Sequence, residues 1–456
     1  MPAKEYFDPT LLNKYNTQGP RYTSYPTALE FHDGFSQQDW LHALQSSPNR
    51  DLSLYVHIPF CHSLCYYCGC NKVVTRHSHK ADEYLDALQR EMQNRSRFFG
   101  AYKVRQLHLG GGTPSFLSQK QMQRLMDSLR DYFDFAADAE ISIEVDPRRV
   151  PEDYPTQLAA HGFNRISIGV QDTNSAVQEA INRLQDTAFI ARLVGSARQA
   201  GMRSVNLDLV YGLPHQTPER FAQTLQDVLA MDPDRISLFS YAHMPQRFAA
   251  QRKIKDEWLP DINAKFALMR QAIETLCDAG YQFIGMDHFA KPNDELAIAQ
   301  REGRLNRNFQ GYTTTFNCDL LGLGVSAISQ IGDSLSQNHK EMADYYEAID
   351  CIGHALHKGI ALSADDMLRA RVISQLMCNF SLDVREIERQ FAIVFADYFA
   401  DELTQLHDFA ADGLLSLSED RIEIFPRGRL LVRNVCMHFD AYLQRHAKLQ
   451  RFSRVI

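Results

Sequence analysis

Four cysteines crowd into ten positions of the stretch LYVHIPFCHSLCYYCGCNK, residues 54–72. Cys61, Cys65 and Cys68 are spaced C-x3-C-x2-C, and Cys70 follows two positions on. A short apolar run, Leu52 to Ile58, leads into them and Pro59 ends it, the pattern of a strand followed by a tight reversal. Zinc usually takes four N/S ligands, often as two-residue pairs separated by a longer spacer. Three thiolates in one loop suit a [4Fe–4S] cluster better, because the fourth iron stays open to a ligand that is not protein. On that reading Cys61, Cys65 and Cys68 hold one iron each. A structural zinc site that borrows Cys70 or His62 is the competing reading. Cys70 is separated from Cys68 by one residue, a tight span for two irons of one cubane, so it is expected outside the cluster, in its surroundings or near substrate. Tyr67, just before the third thiol, is either a core aromatic or a wall for a planar ligand.

Other residues able to do chemistry fall where β-rich runs end. Gly110-Gly111-Gly112-Thr113 follows VRQLHL, and glycines there let backbone approach a ligand closely; an ordinary βα turn is the bland alternative. Glu144, in EVDP, can accept hydrogen bonds from ribose hydroxyls or simply end a strand in solvent. Gln171 ends ISIGVQD, Asp208 lies in VNLDLVYGLP, and Ala242 closes LFSYA. Arg183, in INRLQD, offers a planar fork suited to a carboxylate, although it can also pair with Asp208. Tyr55 points from the first strand as core or as a cofactor partner, with His57 on the same face.

The elements that must position these groups are legible as periodicity. Short β-rich runs appear at 52–58, 104–109, 140–145, 165–170, 203–210 and 235–241, separated by helical stretches such as 78–97 and 118–133. Strand–helix alternation predicts a parallel sheet that carries its chemistry at the carboxyl ends of its strands. Apolar runs at 281–290 and 319–332 are expected to extend the sheet or cap its edge. After 360 the pattern turns helical, at 363–378, 383–391 and 394–407, then gives two short β-runs, LLSLS and RIEIF, and a last helix from about 428. With 456 residues and 45% hydrophobic content the chain is long enough for two or three packed domains. A net charge of −8 argues against general nucleic-acid affinity. Nine cysteines, an odd number, do not make a disulfide framework, and an oxygen-sensitive cluster needs a reducing compartment. With no signal core and no apolar run of membrane-spanning length, a cytoplasmic protein is expected.

C-x3-C-x-Y-C after a strand, with Gly110-Gly111-Gly112-Thr113-Pro114 at the end of the next, resembles the radical S-adenosylmethionine (SAM) superfamily. The longer C-x3-C-x2-C-x-C form followed by Asn71-Lys72, with PRYTSYPTA at 20–28, is similar to its oxygen-independent coproporphyrinogen III oxidases, and the similarity runs through essentially the whole chain. The resemblance implies an α/β fold with an incomplete parallel (β/α)6-type barrel, a full eight-fold barrel being the competing expectation. It implies an N-terminal arm at 1–50, a catalytic domain with its extension at 51–358 and a mainly helical, winged-helix-like domain at 359–456. The implied activity is anaerobic decarboxylation of two propionates of coproporphyrinogen III to vinyls, with one [4Fe–4S] cluster and two SAM molecules. Tyr55, Gly111, Glu144 and Ile328 would surround the cluster-bound SAM, and Tyr67, Gly112, Thr113, Gln171, Arg183, Asp208 and Ala242 the other. Tyr55 and Cys70 are the candidate catalytic residues. Partners would be coproporphyrinogen III, an electron donor and an unidentified electron acceptor, with no nucleic acid, no membrane and a monomeric chain. Candidate cations for the propionates are Arg21, Lys72, Arg76 and the run 246–255. A haem-binding chaperone usually lacks the extra cysteine and the PRYTSYP arm; a haem-degrading methyltransferase of the same superfamily is a third reading.

Overall fold

The computed structural model describes residues 6–315 and 318–443. Contacts divide the chain into two compact units: residues 32–272 with 317–361, and residues 1–31 with 273–316 and 362–456. These bounds differ from the expected division at 50/51 and 358/359, because residues 32–50 pack with the sheet while residues 6–31 pack with the C-terminal helices.

The first unit is built on a sheet whose six central strands follow chain order. They are β1 (Asp51–Ile58), β2 (Lys103–Gly111), β3 (Phe135–Val145), β4 (Arg165–Gln171), β5 (Ser204–Tyr211) and β6 (Arg235–Ser240). Each is parallel to the next, so all six carboxyl ends lie along one edge. On the other side of β1 comes β7 (Cys318–Leu323), also parallel, then β8 (Ile328–Ile331), β9 (Ser334–Asn338) and β10 (Leu356–Ala361), which are antiparallel. Six in-order parallel strands with this extension match the incomplete barrel rather than the eight-fold one. The apolar run at 319–332 thus supplies β7 and β8, as expected.

Central parallel strands are covered on both faces and therefore read as near-continuous apolar runs. In β1, Leu52, Leu54, Val56 and Ile58 are fully buried and only Asp51 and Tyr55 are partly open. Helices return the chain between strands. His79–Ser96 buries Tyr84, Leu85, Leu88 and Met92, and Gln119–Tyr132 starts with a capping box between Ser118 and Gln121, which satisfies two orphan N–H groups.

In the second unit the helix Ala364–Asn379 begins with a Ser363–Asp366 capping box, and strands Ser381–Asp383, Arg421–Ile424 and Leu415–Leu417 form a small antiparallel sheet. The run 281–290 forms a hairpin of Gln282–Gly285 with His288–Ala290. The Pro20–Pro26 segment packs within this unit: Tyr22 Oη donates to Asp440 at 3.0 Å, Arg433 Nε donates to the Pro20 carbonyl at 2.9 Å, and Arg21 pairs with Asp287. Among the described residues no helix is long and apolar enough to cross a membrane.

Candidate active site

The cysteine loop leaves β1 at Pro59 and is closed at its base. Phe60–Cys61 pairs in parallel with Val73–Val74, Val73 N–H donates to the Pro59 carbonyl at 2.7 Å and Thr75 N–H to the Cys61 carbonyl at 2.9 Å. A second anchor comes from beyond β4: Tyr66 N–H donates to the Ile181 carbonyl at 3.0 Å, and Asn182 Nδ2 to the Leu64 carbonyl at 2.8 Å. The loop is therefore pinned at its base and again at its middle, at 64–66. Cys61 and Cys65 are buried, Cys68 is half-buried and Cys70 is exposed.

Each thiol has a different environment. Burial pushes the Cys61 thiol up to about 11, against the hydrogen bond it shares with Thr113 Oγ1 at 3.3 Å. Cys65 Sγ accepts from Arg183 at 3.4 Å and Arg148 at 3.5 Å. Cys70, as a hydrogen-bond partner, and the ammonium of Lys72 hold the Cys68 thiol down at about 6, against its burial. Among the described residues no three His, Cys, Asp or Glu side chains gather tightly enough for a single metal ion. A tetrahedral zinc with Zn–S bonds of about 2.3 Å needs such a gathering, whereas a cubane spreads its three thiolates over separate irons. The three loop thiols share one cavity and are a donor set that fits the cluster.

The end of β2 brings backbone against the loop. Gly112 N–H donates to the Ile58 carbonyl at 2.8 Å, and a Cβ there would stand 2.5 Å from the Pro59 carbonyl oxygen, so only glycine allows this approach. Gly111, at φ +113°, would place a Cβ 2.5 Å from the His57 ring. Its N–H donates to Glu144 Oε2 at 3.2 Å, which sets the carboxylate of β3 beside the glycine turn of β2. His57 itself is fixed. Burial lowers its basicity and keeps it neutral; Tyr55 O–H donates to Nδ1 at 3.1 Å, and Nε2–H donates to the Asn71 carbonyl at 3.1 Å. Tyr55 and His57 share a face, as their spacing predicts, and together tie β1 to the far end of the cysteine loop.

Arg183 does not pair with Asp208. Its carboxylate partner is Asp146, 3.4 Å away, while its other nitrogen donates to the Gly169 carbonyl at 2.8 Å. Burial would raise the Asp146 carboxyl, but Arg183 and Arg148, the latter at 2.6 Å, hold it down at about 2. Gly169 leaves the room: a Cβ there would meet Gln171 at 2.7 Å and Arg183 at 2.8 Å. Gln171 sits in left-handed backbone, φ +67°, where the register of β4 against β5 shifts; the bulge re-aims its side chain. Asp208 accepts from Ser167 Oγ at 3.0 Å and Asn206 Nδ2 at 2.8 Å. Its burial, with the charge of Glu144, pushes it up to about 6.

The far wall is held by Gln251, which is 2% exposed. It donates to the Tyr67 carbonyl at 3.0 Å and the Ala242 carbonyl at 3.2 Å, and accepts from Met244 N–H at 2.5 Å. Tyr67 packs against the buried cluster of Val177, Ile181 and Val210 while also lining the cavity.

These groups enclose a cavity of about 380 Å³. The four loop cysteines, Tyr67, Gly111, Gly112, Thr113, Glu144, Gln171, Arg183, Asp208 and Ala242 all line it. Tyr55 and Ile328 do not. Tyr55 lies opposite Gly322 of β7, whose missing Cβ would meet the Ile328 carbonyl oxygen at 2.4 Å, so the two are set side by side behind the wall. Sequence reasoning missed Asp146 and Arg148, which also line it, although Asp146-Pro147-Arg148 stood in view two positions after Glu144. Phe248 and Gln251 line it too; they fell within the candidate run 246–255, offered there for its cations. Of the candidate cations only Lys72 lines the cavity. Arg252 donates to the Pro245 carbonyl and Lys255 approaches Glu257 at 3.7 Å. Arg76 is exposed beside His62.

Residues 55–228 match the Radical SAM superfamily, and residues 362–431 match the HemN C-terminal domain. Over 450 residues the chain is 57% identical to the oxygen-independent coproporphyrinogen III oxidase of Escherichia coli, covering 99% of this chain and 98% of the relative. Over 455 residues it is 49% identical to the oxygen-independent coproporphyrinogen III oxidase of Pseudomonas aeruginosa, covering 99% of each. The solved structure of Escherichia coli coproporphyrinogen III oxidase (HemN), described as a radical SAM enzyme, superposes with a TM-score of 0.93 at 56% identity, over 96% of this chain and all of the other.

Proposed function

The chain belongs to the oxygen-independent coproporphyrinogen III oxidases of the radical SAM superfamily, and on that premise we propose how its side chains are divided between cluster, cofactor and substrate. The reaction is the oxidative decarboxylation of two propionates of coproporphyrinogen III to vinyls, giving protoporphyrinogen IX in haem biosynthesis. Bound [4Fe–4S] cluster and SAM supply the 5′-deoxyadenosyl radical that takes one β-hydrogen from each propionate, after which CO2 and one electron leave.

Cys61, Cys65 and Cys68 hold one iron each. The observation that carries this assignment is the single cavity shared by the three thiols and the strand-end groups. Arg183 and Arg148 donate to Cys65 Sγ and so favour its thiolate. Glu144 and the open backbone of Gly111, with Tyr55 and Ile328 behind them, hold the SAM that meets the cluster. Tyr67, Gly112, Thr113, Gln171, Arg183, Asp208 and Ala242 hold a second SAM, so that both conversions proceed without reloading. Tyr55, through neutral His57, fixes the loop next to Cys70, and Cys70, exposed at the mouth, faces substrate without binding iron. The catalytic groups fall within residues 51–358; residues 32–50 pack with their sheet, and residues 6–31 serve as an arm within the C-terminal unit. The working form is a cytoplasmic monomer served by a separate electron donor and acceptor.

The test is an anaerobic assay of reconstituted protein with SAM, reductant and coproporphyrinogen III, read by product mass, together with equilibrium dialysis of SAM. Loss of two carboxyl groups per substrate and two SAM bound per chain are expected; one SAM at saturation would refute the paired arrangement.

A further inference from the structure

Coproporphyrinogen III brings four carboxylates and keeps two, so two are never at the radical and have to be held by other groups. Resting on the functional reading above, the place to look is the rim of the cavity beside Cys70. Lys72 lines the cavity and donates to the carbonyls of Cys68 and Cys70 at 3.3 Å each, with its ammonium also acting on the Cys68 thiol. Next to Cys70, Asn71 Nδ2 donates to the Lys340 carbonyl at 2.9 Å, which places Lys340 against the loop. Lys358 stands on β10 opposite Gln337 of β9. Arg247 lies over the Phe248 ring, 5.5 Å from its centroid, and that ring presses on Gly69.

These four cations are an anomaly in a chain of net charge −8. Besides burial, the charges that act on Lys340 are those of Lys358 and Arg247, both positive. Asp344 and Glu347 act on the neighbouring His339 and not on Lys340. Among the described residues none of the four cations has a carboxylate within ion-pair distance. Lys340, Lys358 and Arg247, with no carboxylate to offset them, repel one another, and an anionic ligand relieves that repulsion. Phe248 adds an apolar face at the same rim, suited to the edge of a pyrrole ring.

We propose that Lys340 and Lys358, with Arg247 and Lys72, form a cationic rim that binds the propionates of coproporphyrinogen III that survive the reaction, and so set which pair of side chains reaches the radical. The probe is fluorescence quenching of two stable oxidised porphyrins on the reconstituted holoprotein: coproporphyrin III, and mesoporphyrin IX, which carries only the two surviving carboxylates. Lys340→Gln with Lys358→Gln should weaken both by the same factor, about three- to tenfold for two partly exposed charge contacts. The loss should shrink as salt is added, and Lys340→Arg with Lys358→Arg should restore binding. KM for coproporphyrinogen III should rise by the same factor, while substrate-independent SAM cleavage and the melting temperature stay at the parent values. Unchanged affinity for mesoporphyrin IX, or a parallel loss of SAM cleavage, would overturn the assignment. SAM cleavage by the unaltered chain reports on the cluster site alone, so the two readings fail separately.

Discussion

Asp208→Asn should make the folded chain more stable at neutral pH while weakening cofactor binding. Burial, reinforced by the charge of Glu144, lifts the Asp208 carboxyl from 3.8 to about 6. A carboxyl raised in this way holds its proton more tightly in the folded state than in the unfolded one. Its charge therefore costs stability above about pH 6, and the cost disappears as pH falls toward about 4. At about 1.4 kcal/mol per pH unit the whole lift corresponds to about 3 kcal/mol. Asp208 is partly open to the cavity, so water screens some of that, and about 1–2 kcal/mol is expected. Asparagine keeps the shape: its oxygen can accept from Asn206 and its new N–H can donate to Ser167 Oγ, the partners now at 2.8 and 3.0 Å. The assay is urea unfolding of the metal-free chain, followed by circular dichroism at about pH 7.5, 6 and 4.5. The gain should shrink steadily toward the lowest pH, and should be smaller in a Glu144→Gln background, because the two carboxylates repel. A variant less stable than the parent at about pH 7.5, or equally favoured at about pH 4.5, would refute the reasoning.

Other substitutions probe the remaining parts. Cys68→Ser should lose most bound iron and the visible charge-transfer absorption, whereas Cys70→Ser should keep about four irons per chain and yet decarboxylate poorly; equal iron loss in both would put Cys70 among the ligands and close the open iron. Gly111→Val forces a branched side chain into φ +113° against the His57 ring, at a cost of about 1–3 kcal/mol, and should weaken SAM binding with the cluster spectrum intact. Glu144→Ala should lower SAM affinity several-fold, the worth of about 1 kcal/mol, and unchanged affinity in both of these variants would tell against this pocket. Gln251→Leu strips partners from the Tyr67 and Ala242 carbonyls and from Met244 N–H, so stability should fall by about 1–3 kcal/mol per group left dry, with a lower melting temperature; a melting temperature and SAM affinity both at parent values would show Gln251 to be incidental.

The sequence alone determined the chemistry of the loop and the scaffold behind it. C-x3-C-x2-C is a local property: three thiols within eight residues stay neighbours whatever the rest of the chain does. The strand runs were legible because a parallel strand buried on both faces is apolar along its length, and the helices because their apolar positions recur at three and four. The strand-end rule then picked out Glu144, Gln171 and Asp208, since in a parallel sheet every carboxyl end lies on one edge.

Tertiary structure decided the pairings. Arg183 and Asp208 looked like an ion pair, but room at Gly169 and the bulge at Gln171 turn Arg183 toward Asp146 and Cys65. Gln251 reaches across 184 positions to Tyr67, and the rim cations come from segments as far apart as Lys72 and Lys358. Such contacts depend on register, bulges and the path of the chain between elements. Periodicity carries none of that, because it records which face a residue takes and not which residue stands opposite.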